Sequence, residues 1–165
     1  MGRLVIIIEG MDNSGKSTLA RCIAQRLNFA IQESEGPPRS REEINARIRR
    51  YAYMRNVVFV RHPVISNAIY GAQRPEGDPI DPALRRKFYS DPHNLFIYCD
   101  PLERGLDDHV VKDHDTPEHL ALLEERRSIL LKEYRSWAIR HAHFMYRIGD
   151  DMERVCDWVA HAACP

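Results

Sequence analysis

A glycine-rich octapeptide near the start of the chain has the residue types that bind phosphate. It runs from Gly10 through Gly15 to Lys16 and Ser17, and it fits the pattern GxxxxGK[ST]. The glycines let the backbone curl until its N–H groups point inward at a helix N-terminus, where they can hold phosphate oxygens. The lysine adds a cation for the β- and γ-phosphates, and the serine hydroxyl is a ligand for Mg²⁺. The pattern predicts a bound nucleoside triphosphate with magnesium.

The residues around this P-loop supply the elements that it needs. The run 3–9 is apolar and β-branched, which is typical of a buried parallel strand, and a helix is predicted from about Lys16 with Leu19, Ile23 and Leu27 on one face. The chain has no NKxD sequence, which would indicate a guanine-binding GTPase, and no room for the extra domains of a motor or transporter. These features favour an ATP-dependent kinase.

A second group of candidate residues follows the run 56–60, which is predicted to be a strand. It contains Arg61-His62, then Ser66, then Ala-Ile-Tyr-Gly at 68–71. The stretch 8–18 resembles the EGxDxxGKST signature of thymidylate kinases, and the second group resembles that family's DR[YH] motif with the serine and tyrosine after it. Together with Gly-Pro-Pro at 36–38, the chain looks most similar to the small thymidylate-kinase-like proteins of bacteriophages.

The resemblance implies an α/β P-loop kinase fold of three layers, in which helices flank a five-stranded parallel sheet. It implies that Asp12 contacts the acceptor sugar or the metal, that Lys16 bridges the transferred phosphoryl group, and that ATP and Mg²⁺ are used. Arg61 would hold the acceptor phosphate or neutralise the transition state, with a surface ion pair as the alternative. Tyr70 would stack on a base, with simple packing as the alternative. The expected ATP contacts are Asn13, Ser14, Gly15, Lys16, Ser17 and Thr18, with Ser17 as the metal ligand.

The chain departs from that family at two places on the acceptor side. Val60 stands where the family has an aspartate before the arginine, so Asp12 or Asp100 would have to supply the acid near the metal. The family's acceptor loop is replaced by Glu-Gly-Pro-Pro-Arg-Ser-Arg at 35–41, which makes Arg39 and Arg41 candidates for acceptor binding by position alone.

A short mobile cover over ATP is predicted at about 107–116, where Lys112 is the single lysine or arginine. Arginines of the following helix would then have to assist. Arg127 lies on the apolar stripe of that helix, so we expect it to face either the site or a buried ion-pair partner.

Strands and helices alternate along the chain, which favours right-handed βαβ crossovers in a single domain over residues 1–165. We predict strands at 3–9, 29–32, 56–60, 95–99 and 143–148, and helices from about 16 and at 40–54, 117–141 and 152–162. The Gly- and Pro-rich segment 71–82 is predicted to be a loop.

The charge is balanced overall but uneven along the chain. There are 24 basic and 24 acidic residues, yet the segment 36–62 has a balance of +5 and the segment 100–165 one of −5. The positive segment suits phosphate groups. The four cysteines are widely scattered, as in a reduced cytoplasmic protein, and nothing in the sequence suggests export or a membrane span. We expect a cytoplasmic protein, in a host cell if it is phage-encoded, and a homodimer is a further expectation.

Three functions agree with these observations. The first is transfer of the γ-phosphoryl group of ATP to a deoxynucleoside monophosphate, which needs alignment and charge neutralisation but no base. The second is phosphorylation of 5-hydroxymethyluracil or a related base in phage DNA, for which Asp12 is the nearest candidate base. The third is a regulatory nucleotide-binding module without turnover, suggested by Val60.

Overall fold

The first strand, β1 (Val5–Glu9), is buried on both faces because its apolar side chains lie at the centre of a sheet. The computed structural model describes residues 3–71, 77–102 and 117–163, and within them five parallel strands follow the order β2-β3-β1-β4-β5. Val5 pairs with Val57 on one side and with Asn94 on the other. The other strands are β2 (Ala30–Gln32), β3 (Val57–Val60), β4 (Asn94–Asp100) and β5 (Phe144–Arg147).

Six helices connect or follow these strands in the described ranges. They are α1 (Lys16–Leu27), α2 (Arg41–Tyr51), α3 (Pro63–Gly71), α4 (Pro82–Ser90), α5 (Pro117–His141) and α6 (Met152–Ala163). The predicted α/β fold with a five-stranded parallel sheet is confirmed. None of the described helices is long and apolar enough to cross a bilayer.

Side chains alternate between the two faces of the sheet, and each face has its own apolar cluster. Ile6 and Ile8 face α1 and α6, where Leu19 and Val159 are fully buried. Val5 and Ile7 face the opposite cluster, which includes residues of α2, α3, α4 and α5. The sheet is therefore the middle of three layers.

Two helices were missed by sequence reasoning. Segment 63–71 had no predicted element, although Pro63 is well suited to a first helical turn. The loop predicted at 71–82 ends where α4 begins, because the Asp81 side chain accepts a hydrogen bond from the Ala83 N–H at 2.8 Å and so caps that helix. Both helices have only nine residues, too few for a clear periodic pattern.

Several candidate site residues lie at one edge of the sheet. Parallel strands have their carboxyl ends on the same edge, which places Gly10, Glu33, Arg61 and Pro101 there, directly after their strands. The candidate functional site lies at this edge.

Candidate functional site

The P-loop connects β1 to α1, and only glycine fits at its first position. Gly10 has a φ of +150°, and a Cβ atom there would lie 2.3 Å from the carbonyl oxygen of Cys99 in the neighbouring strand. Gly15 has a φ of +83°, in the left-handed region where glycine is favoured, and α1 begins at the next residue. Gly10 therefore allows the start of the loop to lie against β4, and Gly15 allows the turn into α1.

Lys16 is folded back into this loop. Its side chain donates hydrogen bonds to the carbonyl of Met11 and, at 3.2 Å, to the hydroxyl of Ser14, and the residue is 7% exposed. Burial, followed by the positive charge of Arg61, lowers the pKa of Lys16 to about 8. A phosphate group at the loop would add negative charge near this ammonium and favour its protonated form.

A cavity of about 490 Å³ lies against the loop. Its lining comprises Asp12, Asn13, Ser14, Gly15, Lys16, Ser17, Thr18, Glu33, Ser34, Val60 and Arg61. All six residues predicted to contact ATP are among them. The backbone cradle, the buried ammonium and the Ser17 hydroxyl at the start of α1 fit the triphosphate of ATP with Mg²⁺.

Arg61 connects the P-loop to α3. Its backbone is left-handed, with a φ of +69°, and its N–H donates to the carbonyl of Ile8 at 3.0 Å. One guanidinium nitrogen donates to the Asp12 carboxylate at 2.6 Å and another to the hydroxyl of Tyr70 at 3.0 Å. Three of the predicted site residues are therefore in direct contact.

A second cavity, of about 230 Å³, adjoins the first. Its lining comprises Ser34, Glu35, Gly36, Pro37, Pro38, Arg47, Tyr51, Arg61, Pro63, Ser66, Asn67 and Tyr70. Arg61 and Ser34 line both cavities. The site thus has two compartments, which we name the P-loop cavity and the α3 cavity, with one guanidinium at their boundary.

Arg47 lines the α3 cavity and was missed by sequence reasoning. It is 8% exposed, and it donates to the carbonyl of Gly36 at 2.9 Å and to the carboxylate of Glu43 at 2.6 Å. Glu35 accepts from Tyr51 and Arg50, and the hydrogen bond from Tyr51 is the main cause that lowers the pKa of Glu35. The Glu43–Arg47 spacing of four residues was a visible signal, but the sequence does not show that the arginine is buried.

These contacts reduce the uncompensated positive charge of the segment 36–62. Arg47, Arg50 and Arg61 are each paired with a carboxylate, so much of its charge is locally compensated. Arg39 and Arg41 are exposed and line neither cavity. The structure does not bring these two predicted acceptor-binding residues into the site.

The acids near the P-loop have distinct positions. Asp12 has a side chain that is 91% exposed and bound to Arg61. Asp100 accepts two hydrogen bonds from Arg135 of α5, at 3.0 and 3.1 Å, and so ties two elements together. Glu33, which sequence reasoning missed, follows β2 directly and lines the P-loop cavity beside Val60. The position of Glu33 directly after a predicted strand was the sequence signal that could have identified it.

Two predictions concern the neighbourhood of α5. Arg127 is half-buried on this helix and lines neither cavity. The cover predicted at 107–116 lies outside the described residues. His62, beside Arg61 in the second motif, has a structural place, because it stacks on Phe88 with ring centres 4.3 Å apart and burial lowers its pKa to about 3.

Comparisons with known proteins agree with the fold. No protein-family model matches the chain, and no curated protein does. Among solved structures, YorR of Bacillus subtilis, in complex with phosphorylated GDP, matches with a TM-score of 0.74 at 17% identity over 96% of this chain and 95% of its own. Thymidylate kinase of Ehrlichia chaffeensis matches at 0.57 and 14% identity over 99% of each chain. Shikimate kinase of Acinetobacter baumannii, in complex with shikimate, matches at 0.60 and 15% identity over 98% of this chain and 92% of its own. The chain has the fold of P-loop kinases, a fold whose members phosphorylate different acceptors.

Proposed function

We propose that this protein is an ATP-dependent phosphotransferase whose acceptor is a deoxynucleoside monophosphate, as in thymidylate kinases. The observation that carries the proposal is the pair of adjoining cavities with Arg61 at their boundary. A P-loop on one side and a separate compartment on the other suit a donor and an acceptor that meet at one guanidinium. The likeness to bacteriophage enzymes, the cytoplasmic location and the homodimer remain predictions.

On the donor side, the backbone N–H groups of the P-loop and the Lys16 ammonium would hold the phosphates of ATP. Ser17 would contribute a ligand to Mg²⁺, which supplies charge neutralisation at the β- and γ-phosphates when bound. Lys16 would exchange its contacts with Met11 and Ser14 for phosphate oxygens. The buried position of its ammonium makes each such contact stronger than it is in water.

On the acceptor side, the α3 cavity offers Tyr70 for stacking and Arg61 for charge neutralisation. A phosphate acceptor is already ionised, so its attack requires alignment and charge compensation but no base. Arg61 would direct its fork of N–H donors at the oxygens between the two compartments. Asp12, bound to Arg61 at 2.6 Å, holds the guanidinium in place on the P-loop side.

A second candidate acceptor is a hydroxyl group, as on 5-hydroxymethyluracil in DNA. The observation in its favour is Glu33, a carboxylate lining the P-loop cavity, which can take the proton of a neutral hydroxyl. This candidate replaces Asp12 with Glu33 as the base, because Asp12 is engaged by Arg61. The local pairing of Arg47, Arg50 and Arg61 with carboxylates leaves less charge to follow a DNA backbone.

The experiment offers γ-labelled ATP with the four deoxynucleoside monophosphates, and in parallel with DNA that contains 5-hydroxymethyluracil. We expect label in a deoxynucleoside diphosphate, and we expect Lys16→Ala to abolish it while circular dichroism stays unchanged. Label in DNA alone would replace the first acceptor with the second. ATP binding without transfer to any acceptor would leave a regulatory nucleotide-binding module.

A further inference from the structure

Glu9, the last residue of β1, is a carboxylate without contact to solvent. Its exposed fraction is 0%, and it directly precedes the P-loop. A buried ionisable group is costly unless donors compensate for the lost water. Neither the donor side nor the acceptor side described above uses this group, so its partners indicate what it does.

Three donors from two other parts of the fold surround Glu9. Its Oε1 atom accepts from the backbone N–H of His62 at 2.6 Å and from the hydroxyl of Ser66 at 3.3 Å. Its Oε2 atom lies 3.4 Å from the hydroxyl of Tyr134 on α5. The carboxylate thus joins the P-loop strand to the start of α3 and to α5.

The place of His62 in α3 explains why this contact matters. The carbonyl of His62 accepts hydrogen bonds from the Ile65 N–H and the Ser66 N–H, each at 3.0 Å, at the start of that helix. A negative charge at a helix N-terminus is favourable, because the free N–H groups there have partial positive charge. Ser66, Asn67 and Tyr70 of the same helix line the α3 cavity. A carboxylate behind the P-loop therefore fixes the wall of the other compartment.

Arg61 lies next to this contact and in a strained backbone conformation. Left-handed φ values are uncommon for residues other than glycine and persist where neighbouring contacts hold them. The Arg61 N–H is held by Ile8 and the following N–H by Glu9, so two consecutive residues of β1 fix the turn. Removing the charge of Glu9 would loosen one of these two contacts.

We propose that Glu9 is a positioning residue, which aligns the acceptor compartment with the P-loop by anchoring the turn at Arg61 and the N-terminus of α3. This inference rests on the proposed function, since it assigns the α3 cavity to the acceptor. Glu9 touches neither cavity and takes no part in the transfer itself. Glu9 acts on the reaction indirectly, because it fixes the positions of Arg61, Ser66 and Tyr70.

The charge state of Glu9 gives this inference a specific signature. Burial raises the pKa of Glu9 to about 7, against the opposing effects of its hydrogen bond to His62 and of the Arg61 and Lys16 charges. The ionisable side chains around it are Lys16, Arg61, His62, Tyr89, Cys99 and Tyr134. Burial lowers the pKa of His62 to about 3 and raises that of Cys99 to about 12, so neither changes charge between pH 5.5 and 7.5. Burial lowers the pKa of Lys16 to about 8, above that interval.

The test compares Glu9→Gln, which keeps the size of the side chain, with the unchanged protein. We expect the KM for deoxythymidine monophosphate to rise about tenfold at pH 8, since a hydrogen bond to a charged acceptor becomes one to a neutral acceptor. The KM for ATP should stay within about twofold. The wild-type kcat/KM for the acceptor should rise with pH through about 7, and this rise should be missing in Glu9→Gln. The acceptor phosphate titrates in both proteins and cancels in the comparison.

A second readout does not depend on activity. Hydrogen exchange of the backbone N–H groups of residues 62 and 64–66 should be faster in Glu9→Gln, while exchange in α6 is unchanged. Asp91→Asn is the control, because Asp91 is a partly buried acid that pairs with Arg3 and not with the turn at Arg61. It should leave both the acceptor KM and the exchange at residues 62 and 64–66 as they are.

The outcomes separate two failures. If Glu9→Gln has the acceptor KM, the pH profile and the exchange rates of the wild type, the inference is wrong while the proposed function stands. If the wild type itself shows no transfer that depends on Lys16, the proposed function fails, and hydrogen exchange alone then decides whether Glu9 anchors α3. A lower melting temperature with an unchanged pH profile would reduce Glu9 to a structural role and overturn the inference.

Discussion

One guanidinium, that of Arg61, contacts both sides of the site at once. It donates to Asp12 of the P-loop and to Tyr70 of α3 through different nitrogen atoms. A planar fork can make two such hydrogen bonds in fixed directions, whereas a lysine ammonium is a single point charge on a flexible stem. The identity of this residue, and not only its charge, therefore determines how the two compartments are aligned.

The variant Arg61→Lys tests this point. We expect the charge to remain near the transferred group but kcat to fall by about 10- to 100-fold, because one of the two anchoring contacts is lost. The melting temperature should change little. The measurement is steady-state transfer from ATP, with Arg49→Lys as control, since Arg49 is an exposed arginine that lines neither cavity. Equal loss in the control would indicate a general effect of arginine replacement.

Sequence reasoning found the residues of this site that lie in local motifs. Lys16, Asp12, Arg61 and Tyr70 lie in two short patterns, and the structure brings them together. Arg47 and Glu33 were missed, because their place in the site depends on which faces of separate elements meet. Arg39 and Arg41 were predicted to bind the acceptor from their position in the chain alone. Position in the chain does not determine where a side chain points.

Strands were easier to predict from the sequence than the short helices between them. All five strands are apolar enough to be recognised, within one or two residues at their ends. The helices α3 and α4 were missed because nine residues contain little periodicity. This omission affected the site directly, since α3 carries the wall of the second cavity.

An ion pair joins β4 to α5 in addition to the apolar packing between them. The Asp100 side chain is 6% exposed and accepts two hydrogen bonds from Arg135. We expect Arg135→Met to lower the free energy of unfolding by about 1–3 kcal/mol, because it leaves a buried carboxylate with fewer donors. Urea denaturation measures the change. Arg140→Met, at an exposed position of the same helix, should change it by less than about 0.5 kcal/mol.

The formal charges of the whole chain cancel, and part of the excess positive charge of segment 36–62 is paired with nearby carboxylates. The net formal charge is zero, and the arginines beside the α3 cavity are paired with carboxylates. Burial raises the pKa of Glu9 to about 7, and the charge of this buried group has effects on stability and on activity that differ in sign.

The stability of the whole chain should reflect the raised pKa of Glu9. Its pKa in the folded state, about 7, lies above its ordinary value of 4.5, so its contribution is complete below pH 4.5 and is lost as pH rises through about 7. We expect Glu9→Gln to be more stable than the wild type at pH 8, by up to about 3 kcal/mol, and no more stable at pH 4.5. Thermal or urea unfolding at both pH values measures this. A variant less stable than the wild type at pH 8 would contradict it.

The packing of α6 on α1 has a consequence for how the chain is made. Val155 and Val159 of α6 belong to the same apolar cluster as Leu19 and Ile23 of α1, although about 130 residues separate them. During synthesis, the apolar cluster on this side of the sheet is complete only after residues 152–163, which form α6, have been added to the chain. Until then the part of the apolar face of α1 that α6 covers is open to chaperones and to other nascent chains. A ribosome-bound fragment that ends before residue 152 should therefore remain sensitive to protease.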